Sequence, residues 1–394
     1  GAAVTILEKN AKIGRKIMLT GKGRCNLTNA KPWAQFSAHL HSKPAFFKPA
    51  FFSFSNLDTT NFFAAAGLRT VVTRDDRVFP ETMMASSVVD ALSAQIARHN
   101  VTVMSGCDVT KVVKDGRGYF LTSYLKSSDG LLQPGNISSK TVIVATGGLS
   151  YPSTGSTGAG YEIAASFGHT IQKTFPSLTA LTPENYDLRL QDITLLNVAA
   201  SLYVGQDMVC YEFGDLQFTD GGIEGPVGFR LSRKAVWALM GGSKVTISID
   251  LKPAVPADIL SSRVGRLADE EGVNALNFER RKAAFLRKFM PKELIGPFAS
   301  ANNLSLNNLA AVLKDWRFKI AGYVGYRRAV VTAGGVSLDE VVSRNMSSRN
   351  VQGLYFAGEV LDMDGDTGGY NLQFAFSTGA LAGRSAAQYA AVCQ

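Results

Sequence analysis

Phe356-Ala-Gly-Glu-Val-Leu-Asp-Met-Asp-Gly-Asp-Thr-Gly-Gly-Tyr-Asn-Leu-Gln-Phe-Ala-Phe-Ser-Thr-Gly379 reads as the end of a strand, a glycine-rich turn and the start of a helix. Leu354 to Ala357 is a short apolar run of strand type, and Asp362 to Asp366 supplies acidic turn residues. Gly368 and Gly369 carry no Cβ, so the backbone there is expected to approach a planar ligand closely. Tyr370 to Ala382 has the pattern of a helix whose first free N–H groups point back at the turn. A reduced flavin gathers negative charge at its pyrimidine end, which suits it to the positive pole of a helix N-terminus. The competing reading of this segment alone is an ordinary strand-to-helix loop.

Outward from this stretch, the size of the chain calls for more than one core. Its 394 residues exceed what a single core supports, and 46% hydrophobic with 19% charged residues describe a globular protein. No apolar run nears the roughly 20 residues that cross a bilayer. Cys25, Cys107, Cys210 and Cys393 are far apart and form no C-x-x-C pair, which argues against a zinc site and for a reducing cytoplasm. The net charge of +9 is partly local, because Lys9, Lys12, Arg15, Lys16, Lys22 and Arg24 crowd one N-terminal stretch. That cluster suits a dinucleotide diphosphate of about two negative charges. The basic run Arg280 to Lys288 reads instead as a solvated helix face, with Ala284, Phe285 and Phe289 inward.

Gly1 to Leu7 is a strand-like run ending in Glu8, an acid placed to accept hydrogen bonds from an adenosine ribose. The G-x-G-x-x-G turn that ordinarily lies about 20 residues earlier has no room here, so a first strand and helix are expected to precede the sequence. Helical patterns follow in the phenylalanine-rich stretch 33–66 and in Ala85 to His99; strands are expected at 68–73, 78–79, 101–104, 109–113 and 119–124. Thr141-Val-Ile-Val-Ala-Thr146 reads as a strand buried on both faces, ending at Gly147-Gly148. Ser153 to Gly160 opens a short helix; beyond Phe175 the texture turns to irregular strands and then, from Pro256 to Leu313, to helices. The expected division is a discontinuous ligand-binding domain at 1–175 and 332–394, a β-rich insert at 176–254 and 317–331, and a helical subdomain at 255–316.

Three separated motifs agree with one family: Leu7 to Asn29, Val144-Ala-Thr-Gly-Gly148, and Gly358 to Gln373. Together they resemble the YhiN-like flavoproteins, the group that includes aminoacetone oxidase and BaiN-type oxidoreductases, over nearly the whole chain. The resemblance implies an α/β fold: an FAD-binding Rossmann-like domain of glutathione-reductase type with a β-rich insert. It implies that Glu8 and Lys9 lie near the adenosine ribose, and that Arg15, Lys16, Thr20, Gly21, Gly23, Arg24, Cys25 and Asn26 run beside the diphosphate and flavin. Val109 would meet the adenine; Ala145, Thr146 and Gly147 would sit on the diphosphate side. Gly358, Glu359, Asp362, Gly368, Gly369, Tyr370, Asn371 and Leu372 would surround the ribityl chain and pyrimidine. Position 159 is alanine where relatives tend to be acidic. Cys25 fits a small packed residue better than a redox thiol, as it has no partner cysteine within reach.

The expected activity is a non-covalent FAD-dependent oxidoreductase that exchanges a hydride between flavin N5 and a small organic substrate lying between flavin domain and insert. Amine oxidation and enone-type reduction are both implied, with NAD(P)H as a transient donor in the second case. No catalytic residue emerges, since only His39, His41, His99 and His169 offer imidazole chemistry, and His39-x-His41 fits surface histidines better than a metal site. The alternative is a flavin-fold protein that binds or acts on tRNA, suggested by the +9 charge. Against it stands the lack of an aromatic-and-basic recognition segment outside the flavin motifs, so nucleic acid is not expected as a partner. The oligomeric state is open.

Overall fold

The computed structural model describes residues 2–116, 118, 120–126 and 132–392. Gly1, Tyr119 and Cys393, each named above, lie outside the described residues. The chain divides into two compact units, Gly1–Pro176 with Ala329–Gln394, and Ser177–Arg328.

In the first unit, Thr5–Glu8 pairs in parallel with Thr102–Ser105, and Val142–Val144 pairs in parallel with Leu354–Phe356. Parallel pairing between segments this distant is the mark of a crossover fold. The helix Ala85–Arg98 precedes Thr102 and buries Ala85, Val88 and Ala91 on one face. Lys111–Lys114, Phe120–Lys126 and Leu132–Ser139 form an antiparallel meander. Val142–Val144 departs from the expected doubly buried strand, because Ile143 is 39% exposed. The strand ends the order of its sheet, with Leu354–Phe356 as its one ladder partner among the described residues.

The phenylalanines of 33–66 form a packed layer rather than a ligand cage. Phe36, Phe47 and Phe51 are buried, and Phe47 meets Phe374 of the long helix Tyr370–Val392 edge to face at 5.1 Å. The adjoining helix Asn56–Ala65 starts on a capping box: the Ser55 Oγ accepts from Asp58 N while the Asp58 carboxylate accepts from Ser55 N. It stops at Gly67, whose φ of +85° is the left-handed geometry that closes a helix.

The second unit holds a closed antiparallel barrel in the order Leu181–Pro183, Gly222–Glu224, Asp207–Thr219, Thr194–Val204, Val245–Asp250, Trp316–Tyr323. Two-residue alternation builds it: Trp316, Phe318 and Ile320 point inward and are buried, while Arg317 and Lys319 between them are exposed. Phe218 packs on Trp316 and Phe318 inside, and the helix Gly225–Met240 buries Val227, Leu231 and Val236. The helices of 257–314 follow the expected pattern, with one correction. Phe285 and Phe289 are buried as read, but Ala284 is exposed and Leu286 takes the inward place, because the helix closes at Leu286.

Candidate functional site

Glycine-permitted turns and a few charged side chains build a polar site in the first unit. After Gly14 (φ +78°), the helix Arg15–Leu19 runs into Thr20–Gly23, where Gly21, Lys22, Gly23 and then Cys25 all take positive φ. The loop closes on itself: Arg24 N donates to the Gly21 carbonyl and Cys25 N to the Thr20 carbonyl at 3.0 Å. Arg24 lies over the Phe79 ring at 5.3 Å and donates through Nε to the Gly21 carbonyl; Thr20 Oγ1 donates to the Ile17 carbonyl.

Next to this loop the fold gathers residues from four parts of the chain. Lys16 Nζ forms an ion pair with Glu359 and lies 3.4 Å from Ser156 Oγ; the Thr332 amide donates to Glu359 Oε1 at 2.8 Å. Gly147 belongs to the same group, since a Cβ there would stand 2.9 Å from Ser156 Oγ and 3.8 Å from Glu359 Oε2. Thr146 Oγ1 fills the space that a side chain at Gly160 would need. Ser156 and Thr332 were not read as site residues from the sequence; their only signal was the neighbouring glycines, Gly155 to Gly160 and Gly334-Gly335.

Glu8 ends its strand as expected and accepts from Asn10 N and Nδ2, while Asn10 Oδ1 accepts from Arg15 at 2.9 Å. Lys9 reaches Thr157 Oγ1 at 3.1 Å and Asp108 at 3.6 Å. Val109 packs its side chain on the core, and Ala145 continues the chain beyond Val142–Val144.

The Gly358 to Leu372 segment is pinned both by neighbouring chain and by its own Asn371. Gly358 N donates to Thr378 Oγ1, and Asp362 N donates to the Val336 carbonyl. The Asn371 side chain accepts from Gly365 N and donates to the Gly365 and Asp366 carbonyls, so it fixes the acidic turn. Tyr370 is buried, stacked on His39 at 4.4 Å, and Leu372 packs on the cluster around Cys25 and Leu27. The role of the paired glycines differs from the sequence reading. A Cβ on Gly369 would lie 2.4 Å from the Thr28 carbonyl, so this glycine admits the neighbouring chain; one on Gly368 would press on the Tyr370 ring at 3.0 Å.

His39 and His41 also prove to be partners of Asp366, at 2.8 and 3.0 Å. Burial alone would raise the Asp366 pKa, but hydrogen bonds from both imidazoles and their charge outweigh it and bring it down to about 2. Among the described residues no group of three or more His, Cys, Asp or Glu is placed to hold a metal. Burial pushes the Cys25 thiol up to about 11, with a hydrogen bond from Thr20 opposing it. A neutral, buried thiol is the packed residue expected of Cys25.

Two buried polar atoms just beyond this loop, Asn26 Oδ1 and Thr28 Oγ1, have no hydrogen-bond partner within the protein. Buried acceptors and hydroxyls are normally satisfied, so these two are candidates to be satisfied by a polar ligand. The two orphaned atoms and the Lys16–Glu359 group fit a polar cofactor. The class defined in this way is the FAD-binding Rossmann-type proteins. The chain belongs to the HI0933-like protein Rossmann domain family, whose model matches residues 1–385, and the resemblance to YhiN-like flavoproteins is thereby borne out.

Curated relatives match over nearly their full length. The chain is 31% identical to a 3-dehydro-bile acid delta(4,6)-reductase of Clostridium scindens, covering 98% of this chain and 93% of that one. It is 31% identical to a ribosomal RNA dihydrouridine synthase of Escherichia coli (96% and 90% covered), and 29% identical to one of Haemophilus influenzae (96% and 91%).

Proposed function

We propose that this chain is an FAD-dependent oxidoreductase that reduces a carbon–carbon double bond conjugated to a carbonyl. One observation carries the reading: full-length relatives are named for reducing a bile-acid double bond and for making dihydrouridine. In chemical terms a 3-oxo steroid alkene and the 5,6-bond of uracil are both polarised by a conjugated carbonyl. When bound, FAD supplies hydride transfer at N5.

The residues of this chain do the holding. Asn26 and Thr28 offer their unpartnered polar atoms to the cofactor. Lys16, held by Glu359, places a cation beside Ser156 and Gly147. Cys25 stays protonated near neutrality and takes no nucleophilic part. NAD(P)H serves as the electron donor and meets the site transiently.

Anaerobic stopped-flow mixing of the FAD-loaded protein with NADH, NADPH and a panel of amines tests this. The expected result is bleaching of the flavin by a reduced nicotinamide and its recovery on adding a conjugated enone. Bleaching by an amine, with no recovery on the enone, would reverse the assignment in favour of amine oxidation. A second reading, with RNA as the carrier of the reducible ring, is favoured by the two dihydrouridine synthase relatives and by the +9 charge. RNA retention that weakens steeply as salt rises is its signature.

A further inference from the structure

The outer face of the barrel carries an arrangement that the flavin site does not use. Tyr211 and Phe213 lie two residues apart on Asp207–Thr219 and so project from the same face; they are 59% and 52% exposed. Their cross-strand partners are small, Ser201 for Tyr211 and Ala199 for Phe213, which leaves the ring faces uncovered. The row continues from Ser201 to Ser248 and from Ser248 to Arg317, whose guanidinium lies over the Tyr203 ring at 5.2 Å. Between Tyr211 and Arg317 the surface dips into a hollow of about 250 Å³ floored by the hydroxyls of Ser201 and Ser248.

The charged groups that line the hollow form two ion pairs, Lys314 with Asp250 at 2.5 Å and Arg317 with Asp315 at 2.8 Å, and the Ser248 hydroxyl donates to Asp315. Lys319 is exposed on the same outward face as Arg317 and supplies a cation beyond these pairs. Uncovered aromatic rings, a stacked guanidinium and an exposed lysine are parts from which proteins build platforms for unpaired bases.

We propose that this face of the barrel, centred on Tyr211, Phe213 and the Tyr203–Arg317 pair, binds single-stranded RNA by stacking its bases. The inference takes its choice of polyanion from the RNA reading above; its geometry is independent of the flavin site.

Binding of a fluorescein-labelled, unstructured RNA of roughly ten nucleotides to the FAD-loaded full chain tests it by anisotropy, at low and raised salt. Tyr211→Ala and Phe213→Ala should each weaken binding roughly ten-fold, and Arg317→Ala should also flatten the salt dependence. Tyr211→Phe and Phe213→Tyr should restore it, and enone reduction should be unchanged in every variant. Wild-type binding that all the variants share would overturn the platform and leave the RNA reading standing. No RNA binding by the wild type at low salt would overturn both, while enone reduction would stand or fall on its own assay. Loss of self-association in the alanine variants, without an effect on RNA, would assign the face to a second copy and overturn the proposal.

Discussion

A single methyl group at position 369 separates a working turn from a broken one. Gly369 has φ +99°, and its missing Cβ leaves room for the Thr28 peptide at 2.4 Å, so Gly369→Ala must push away the short strand Thr28–Asn29. The expected outcome is a lower melting temperature together with a lower ratio of bound FAD to protein. Gly379→Ala is the matched control: it lies inside the helix Tyr370–Val392 with no heavy atom within 4 Å of the new Cβ, and should stabilise by about 0.5–1 kcal/mol. Cys25 gives a second test at this scale. Its thiol stays neutral up to about pH 11 in the folded chain but ionises from about 9 when unfolded, so the unfolded state sheds its proton first as pH rises. This contribution to stability is therefore fully present below pH 9 and is lost between about 9 and 11. Mass spectrometry after iodoacetamide at pH 8 should find Cys25 unmodified in the native protein and alkylated in urea; native alkylation would contradict the buried thiol.

Elements show how much local chemistry decides before packing acts. The capping box of Asn56–Ala65 is written in Ser55 and Asp58, and its hydrogen bonds also hold the Asp58 carboxyl below its usual range. Ser55→Ala should cost about 1 kcal/mol in urea unfolding. The cost should shrink in acid, where Asp58 is protonated and the bond it accepts from the Ser55 hydroxyl at 2.7 Å is weakened; an unchanged midpoint would show that packing alone holds the helix. The strand Val142–Val144 teaches the opposite lesson. Its apolar run is what a doubly covered strand needs, yet Ile143 stands exposed, because composition does not tell a strand what packs on each of its faces.

Across the whole molecule, the sequence by itself determined the class of fold, because its motifs are local. Strand ends, glycine turns and helix starts at Glu8, Gly147 and Gly369 are set by φ/ψ and hydrogen-bonding rules that act over a few residues. The tertiary structure alone decided which of those residues meet. It brought Ser156 and Thr332 to Lys16 and Glu359, turned the paired glycines toward neighbouring chain, and gave His39 and His41 a common partner in Asp366. The same holds for the barrel. Strand register sets Tyr211, Ser201, Ser248 and Arg317, which no one segment holds together, in one row across four strands. Register depends on pairing between residues as far apart in sequence as Ser248 and Arg317, which no local pattern encodes.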